Sequence, residues 1–326
     1  MTFQDPRPIT RRLGHRSAAI LATAGLMVGL ASVPRTTRSE YRTFATPEDA
    51  VRALTETVKA GNMDELLAIF GPEGQDLVSS SDPATGRRNR EVFVVAIAEG
   101  WRLVDRGTDS KELVIGNESW PFPIPLVKTA GGWRFDTAAG KEEILARRIG
   151  RNELAAIRVC QTYVLAQRAY AARSHDGKPA GLYARRINSG PGTQNGLYWP
   201  AKRGERRSPL GDMVAEAAEE GYGLAERREP APFHGYYFRI LEGQGPAAPG
   251  GAASYIIEGE LSSGFALVAW PAQYDATGIM TFIVNKDGIV YEKDLGPETQ
   301  AAARAIVKYD PDKTWRQVQL DAATNP

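Results

Sequence analysis

The chain has little of the chemistry that metal centres and disulfide frameworks require. Among its 326 residues there is one cysteine, Cys160, and there are three histidines. A single cysteine excludes an internal disulfide and any site built from several thiolates, and three histidines leave little material for a histidine-based metal centre. A charge excess is missing too, because 40 Lys and Arg residues balance 39 Asp and Glu residues. This balance argues against a broad basic surface for nucleic acid, and we expect no cofactor.

An apolar run long enough to span a bilayer is also missing. Four arginines precede a small or apolar stretch at residues 17–30, about 14 residues, whereas a spanning helix needs about 20. Gly29-Leu30-Ala31 then supplies the small residues of a cleavage site. The pattern predicts a Sec-type signal peptide over residues 1–31 and a periplasmic or secreted protein without a transmembrane helix after cleavage. The twin-arginine route and an uncleaved membrane anchor are the alternatives. Without these residues, which carry a net +3, the chain has a charge of −2.

Residues 46–137 are predicted to form an α+β domain after a flexible lead-in at residues 32–45. Thr46-Pro47 is typical of a helix start, and Gly61-Asn62 separates a second helix from the first. A third helix is expected near residues 87–101, followed by strands at 113–116, 120–127 and 133–135. Prolines 121, 123 and 125 indicate an edge strand. Helices followed by an antiparallel sheet resemble the nuclear transport factor 2-like cone.

Residues 138–326 are predicted to form a second domain, a long helix packed on an antiparallel meander. The helix is expected over residues 138–173, with two neighbouring apolar stripes at helical spacing: Ala156, Val159, Tyr163, Ala166 and Tyr170, beside Ile157, Cys160 and Val164. A shorter helix is expected at 210–220. The predicted strands cover residues 236–241, 255–261, 265–271, 280–285 and 289–293, and residues 285–288 form a tight turn between the last two.

Three segments of the chain resemble the bacterial family called domain of unknown function 2950. They are Phe233–Arg239 with Gly243–Pro246, the segment WPFPIP from Trp120, and the segment GIMTFIVNKDGIVYEKDLG from Gly278. The resemblance covers residues 44–315 and implies an exported bacterial protein with no established activity. The helix from Asn152 and the strand pair at 278–291 resemble, more weakly, type II secretion pseudopilins. A whole domain precedes this helix, so the resemblance implies a pilin-like fold without the usual filament packing.

Several residues are candidates for chemistry, and each also has a structural explanation. His234, beside Tyr236 and Tyr237, is a candidate ligand contact or the base of a hydrolase, although no Gly-x-Ser-x-Gly elbow accompanies it. His175 is expected to be a solvent-facing turn residue, and Cys160 a core residue. Trp101, Trp120, Trp133 and Phe135 are candidate pocket-lining residues or simple core residues.

A basic and aromatic cluster falls in the irregular region between the two predicted helices of the second domain. The candidate contacts there are Trp199, Arg206 and Arg207, near Arg185 and Lys202. Such a cluster suits an acidic patch on an envelope protein partner, but it also suits a solvated loop. We therefore expect an exported, non-enzymatic interaction or structural module. The alternative is a small-ligand-binding protein or an enzyme that uses the N-terminal cone or His234. The oligomeric state stays open.

Overall fold

The structure, a computed structural model, describes residues 41–75, 83–201, 204–219 and 232–319. The chain divides into two compact units, Met1–Leu145 and Ala146–Pro326, and the dividing point lies inside one long helix. The predicted signal peptide and most of the predicted lead-in lie outside the described residues. Helices and antiparallel sheets are both present, so the prediction of a mixed α+β fold is confirmed.

Three helices open the first unit, and capping residues set the ends of the first two. The first helix begins after Thr46, whose side chain accepts a hydrogen bond from the Asp49 amide at 3.1 Å. It ends at Gly61, which has a φ of +66°, a left-handed conformation that favours glycine. Asn62 caps the second helix by accepting from the Glu65 amide at 3.1 Å. The predicted cap and break are confirmed. The helices are α1 (Pro47–Ala60), α2 (Met63–Phe70) and α3 (Pro83–Glu99).

An antiparallel sheet follows, made of β1 (Trp101–Asp105), β2 (Ser110–Ile115), β3 (Trp120–Pro121), β4 (Leu126–Thr129) and β5 (Gly132–Phe135). The strand order is β1-β2-β4-β5, and β3 pairs with β2 beside this path. The single strand predicted at residues 120–127 is wrong, because the chain leaves the sheet between β3 and β4, where Pro123 and Pro125 cannot donate to a ladder. Helix α3 ends at Glu99, two residues before the predicted end, so Trp101 starts a strand that the sequence analysis did not predict.

The core of the first unit lies between the helices and one face of this sheet. Val51 and Leu54 of α1 and Leu113 and Leu126 of the sheet are buried in one apolar cluster. The ring of Phe135 joins them, 5.5 Å from that of Phe70 in an edge-to-face arrangement. Because side chains of the sheet alternate between its faces, this cluster identifies the face that carries Leu113 and Ile115 as the core face.

The helix α4 (Thr137–Ala171) runs through the dividing point between the units. Its first turn belongs to the first unit, where the Thr137 hydroxyl donates to the Phe70 carbonyl at 2.7 Å. Farther along, the two predicted apolar stripes are buried except at Val159, which is half-buried. The predicted long helix and its apolar face are therefore confirmed.

The second unit is built on an antiparallel sheet. Its strands, in order across the sheet, are Arg316–Gln317, Val290–Asp294, Met280–Asn285, Ala266–Pro271 and Tyr236–Leu241. Helix α4 packs on one face of this sheet, and the Tyr163 hydroxyl donates to the Ala266 carbonyl at 3.1 Å. The strand predicted at residues 255–261 is wrong. Glu258 and Gly259 have φ values of +51° and +82° and form a two-residue turn, so these residues make a separate hairpin. The strands are β6 (Tyr236–Leu241), β7 (Gly243–Gln244), β8 (Ala253–Ser254), β9 (Ile256–Ile257), β10 (Glu260–Leu261), β11 (Ala266–Pro271), β12 (Met280–Asn285), β13 (Val290–Asp294) and β14 (Arg316–Gln317).

Two short helices complete the second unit, α5 (Gly211–Glu219) and α6 (Thr299–Ala305). Helix α6 packs next to β11, where the Trp270 indole donates to the Gln300 side chain at 3.2 Å. The Gln300 amide nitrogen in turn donates to the carbonyls of Pro271 and Ala272, at 2.7 and 2.9 Å. The predicted turn between β12 and β13 is confirmed by a bond of 3.0 Å from the Gly288 amide to the Asn285 carbonyl.

Candidate functional site

The His234 segment forms a tight turn at the start of β6. Phe233 and Tyr236 exchange both backbone hydrogen bonds, at 2.8 and 3.0 Å. His234 and Gly235 lie between them with φ values of +45° and +73°, which is the geometry of a two-residue hairpin turn. A Cβ atom on Gly235 would lie 2.7 Å from the Asn152 side chain and 2.8 Å from Thr277. The backbone geometry thus requires glycine at position 235. The His234 ring stands half-exposed beside the Phe233 ring, 4.2 Å between centroids.

The two tyrosines that follow His234 have different environments. Tyr236 is fully buried, and its hydroxyl donates to the Met280 carbonyl at 2.9 Å. Burial raises the pKa of Tyr236, and the nearby Glu153 carboxyl raises it further. A Cβ atom on Gly278 would overlap the Tyr236 hydroxyl, so this glycine is required as well. Tyr237 is half-buried, with its ring 5.7 Å from that of Trp270.

Helix α4 holds the segment that leads into β12 through two adjacent polar side chains. The side-chain amide nitrogen of Asn152 donates to the Thr277 carbonyl at 2.8 Å. One carboxylate oxygen of Glu153, Oε1, accepts from the backbone amides of Ile279 and Met280 at 2.9 and 3.0 Å. We call Asn152 and Glu153 the amide clamp. Its bonds tie the 277–280 segment to the long helix.

The Glu153 carboxyl has an unusual electrostatic setting. Burial raises its pKa above the ordinary value of 4.5, the two amide bonds lower it, and the carboxyls of Glu292 and Asp294 raise it again, with a net rise. Its second oxygen makes no hydrogen bond within the part of the chain that the structure describes. The clamp therefore places a partly desolvated carboxylate near two other acids, an arrangement that stabilises the fold less than its hydrogen bonds alone would.

The loop after α4 brings three aromatic side chains together. The His175 ring stacks on the Tyr170 ring at 4.0 Å and lies 5.6 Å from the Trp199 ring. Its Nε2 lies 3.0 Å from the Tyr170 carbonyl oxygen. The predicted turn is present, but the prediction that His175 faces solvent is wrong, because the ring is half-buried in this stack. Trp199 is half-buried too, and its exposed part borders the loop.

The basic residues of the predicted cluster are partly neutralised by the protein's own carboxylates. Arg185 donates to Glu242 at 2.8 Å, and Arg207 pairs with Asp212. Arg206 is exposed and makes no ion pair within the described residues. Lys202 and Arg203 lie outside them. The local field is therefore weaker than the sequence indicates, since exposed pairs of this kind cancel charge at short range.

Cys160 lies in the core of the second unit, as predicted. It is fully buried in the apolar face of α4. Burial raises the pKa of the thiol to about 12, so the reactive thiolate does not form near neutral pH. Its role is packing.

The four aromatic residues proposed as pocket lining divide into two pairs. Trp133 and Phe135 are buried in the core of the first unit. Trp101 and Trp120 remain 39% and 41% exposed. Both pair across the sheet with Ile115, Trp101 from β1 and Trp120 from β3, so they flank a buried residue on the core face at one end of the sheet. We call these two side chains the tryptophan pair.

Some features are absent from the described ranges. Within residues 41–75, 83–201, 204–219 and 232–319, no group of three or more His, Cys, Asp or Glu side chains is arranged to hold a metal ion. Nor does any helix in the same ranges have the length and apolar character needed to cross a bilayer.

The fold and the contacts described so far define a class, a two-unit α+β protein whose signature segments occupy turns and strand starts. The family described as "Protein of unknown function (DUF2950)" matches residues 41–318. The chain therefore belongs to this family, as the sequence segments indicated. No curated protein and no solved structure shows a significant match to the chain.

Two polar residues of α4 escaped the sequence analysis although their spacing carried a signal. Glu153 and Gln167 lie on one stripe with Ala156, Cys160 and Tyr163, at steps of three and four residues. Gln167 is fully buried and forms a peptide-like pair with Ala184, donating to its carbonyl at 2.8 Å and accepting from its amide at 2.9 Å. A polar residue on an otherwise apolar stripe requires a partner, and that requirement predicts a long-range bond.

Proposed function

We propose that this protein is exported to the bacterial envelope and acts through contact with another protein rather than by catalysis. Export rests on the arginine-rich and apolar N-terminal pattern. The interaction rests on one observation, the exposure of the tryptophan pair, Trp101 and Trp120, at the end of the first sheet. Tryptophan is among the residues most enriched at the centres of protein interfaces.

The exposed area of the tryptophan pair is large enough to matter for binding. A tryptophan buries up to about 250 Å², so an exposed fraction near 40% leaves about 100 Å² of each side chain in contact with water. Covering that area would contribute about 2.5 kcal/mol per residue at 25 cal/mol per Å². Such a contribution is comparable with that of an interface hot spot.

The same proposal assigns finer architecture to the two units. The order of helices α1 to α3 ahead of an antiparallel sheet supports a nuclear transport factor 2-like cone for the first unit. Helix α4 on the sheet of β6 and β11–β14 supports a pilin-like arrangement for the second. In this view both units are scaffolds that present surfaces, and the amide clamp holds the second scaffold together.

The test is an affinity capture from native envelope extract with the purified protein as bait. A Trp101→Ala/Trp120→Ala bait is run beside the wild type and beside a matched control, Leu165→Ala/Val307→Ala, which removes apolar residues that are 64% and 68% exposed in the second unit. We expect a stoichiometric partner that the tryptophan variant loses and the control retains. Circular dichroism of each bait confirms that the fold is intact.

A further bait distinguishes the tryptophan pair from the basic loop. Arg206→Glu/Arg207→Glu reverses the charge there and leaves the first unit unchanged. Loss of the partner with this bait, but not with the tryptophan variant, would move the surface to the loop. Absence of any stoichiometric partner would contradict the proposed function.

A further inference from the structure

Strand β1 has one free edge among the described residues. It is the end strand of its sheet and pairs with β2 alone. The Gly116 amide donates to Gly100, and the Arg106 amide donates to Ser110, each at 2.9 Å. Residues 100 and 106 thus form hydrogen-bonded pairs with β2, and because such pairs alternate along an antiparallel ladder, residues 102 and 104 do as well. The backbone amides and carbonyls of Trp101, Leu103 and Asp105 therefore point away from β2.

The other edges of this sheet are closed or blunted, whereas nothing in the described part of the chain covers β1. Phe44 exchanges two backbone hydrogen bonds with Trp133, both 2.8 Å long, and so covers β5. Prolines occupy positions 121, 123 and 125 on the β3 side and remove backbone donors there. Strand β1 reads Trp-Arg-Leu-Val-Asp and contains no proline, glycine or lysine, the residues that commonly protect an edge.

The two faces of β1 present different chemistry to an incoming strand. Leu103 pairs with the buried Leu113 and continues the apolar core face, together with Trp101. Arg102 and Arg106 lie on the opposite face. Arg106 pairs with Glu112, whereas Arg102 is exposed and makes no ion pair within the described residues. An incoming strand therefore meets apolar side chains at positions 101 and 103 on one face. On the opposite face it meets an arginine that has no ion-pair partner among the described residues.

We infer that β1 binds an extended segment of a partner protein by strand addition, with apolar side chains opposite Trp101 and Leu103 and an acidic side chain opposite Arg102. The backbone amides and carbonyls of residues 101, 103 and 105 would form the hydrogen bonds to the incoming strand. The alternating side chains of β1 would select which sequence binds. Arg102 occupies a non-hydrogen-bonded position toward such a strand, where facing side chains lie closest. The inference rests on the proposed function and specifies the partner's chemistry.

A second copy of this chain fits the edge less well. Antiparallel pairing of two β1 strands with their core faces on the same side, centred on Leu103, places Arg102 opposite Val104 of the other copy. It leaves Arg102 without a carboxylate and gathers both copies' Arg102 and Arg106 on one face, where like charges repel. The charge pattern therefore favours an acidic partner strand over self-association.

The test uses two nine-residue fluorescent peptides of alternating sequence, one of valine and glutamate and one of valine and lysine, titrated with the full-length protein by fluorescence anisotropy. We expect the glutamate peptide to bind at least tenfold more tightly than the lysine peptide. Arg102→Glu should reverse this preference. Asp105→Pro should weaken binding at least tenfold, because it removes an outward-facing donor and no bond to β2.

Asp105→Ala is the matched control, since it removes the same carboxylate but keeps the amide, and it should bind as the wild type does. If Asp105→Pro perturbs folding, the Arg102→Glu reversal alone decides. Equal binding of the two peptides, or dimerisation of the protein that Asp105→Pro abolishes in sedimentation, would overturn the inference. Tryptophan-dependent capture without peptide discrimination would overturn strand addition and leave the proposed function standing. If the protein discriminates between the peptides but captures no partner, strand addition stands and the proposed function is overturned.

Discussion

The amide clamp offers a quantitative test of what holds the second unit together. Glu153→Ala removes the acceptor for the Ile279 and Met280 amides. Hydrogen bonds to charged groups contribute about 1.5–3 kcal/mol each, but burial of the carboxylate offsets part of this. We expect a loss of about 2–4 kcal/mol in the free energy of unfolding. Glu153→Gln keeps an acceptor oxygen and removes the charge beside Glu292 and Asp294, so at pH 7 it should be at least as stable as the wild type.

The pH dependence of this comparison follows from the sign of the pKa shift. The pKa of Glu153 is raised in the folded state, so the folded chain retains a proton that the unfolded chain has released. The stability from this proton is fully present below the ordinary value of 4.5 and is lost as pH rises through the folded-state pKa. The unfolding free energy of the wild type minus that of Glu153→Gln should therefore fall as the pH rises from 4.5 through the folded-state pKa.

Urea denaturation at several pH values measures these differences, and hydrogen exchange of the Ile279 and Met280 amides reports the clamp directly. Both amides should exchange faster in Glu153→Ala and at nearly the wild-type rate in Glu153→Gln. If the glutamine variant loses as much stability as the alanine variant, or if the difference from wild type does not change with pH, the assigned roles of desolvation and acidic neighbours are wrong.

Three further substitutions test other polar groups of the second unit by urea denaturation. The Arg239 guanidinium donates to three carbonyls at the C-terminal end of α6. Arg239→Leu should therefore lower the free energy of unfolding by about 2–4 kcal/mol, and Arg239→Lys should lower it less. Equal losses in the two variants would refute the inference that the planar guanidinium caps the helix. Gln167→Leu should cost about 2–4 kcal/mol because it leaves the Ala184 amide and carbonyl without partners; a neutral effect would contradict this. The buried Thr281 hydroxyl has no hydrogen-bond partner among the described residues. Thr281→Val should therefore raise the free energy of unfolding by about 1 kcal/mol. A decrease of that size would contradict this and indicate that the hydroxyl has a hydrogen-bond partner.

Local signals predicted many elements of the fold, and the failures have physical causes. Thr46 and Gly61 marked the ends of α1 because capping depends on neighbouring residues alone. The hairpin of β9 and β10 was missed because Glu258-Gly259 lacks the usual Asn or Asp before the glycine, yet Glu258 adopts a positive φ. His234-Gly235 also forms a two-residue turn without Asn or Asp before the glycine. Such turns become predictable only when tertiary contacts are known.

The candidate surfaces were less predictable because they depend on partners distant in sequence. Nothing near Arg185 indicates Glu242, 57 residues away, which neutralises it. Trp101 and Trp133 looked alike in sequence, but one lies at a sheet end and the other is covered by Phe44 and the core. Exposure of an aromatic residue is a property of its position in the sheet, which composition and periodicity do not encode.

The amide clamp also bears on how the chain is made. Its bonds join residues 125 to 127 positions apart, so the N-terminal half of α4 cannot reach its partners until most of the polypeptide has left the ribosome. Contacts of this separation delay folding until late in synthesis. The proposed export would benefit from that delay, because a Sec substrate is threaded through the membrane in an unfolded form. The topology of the second unit thereby postpones its long-range packing until late in synthesis.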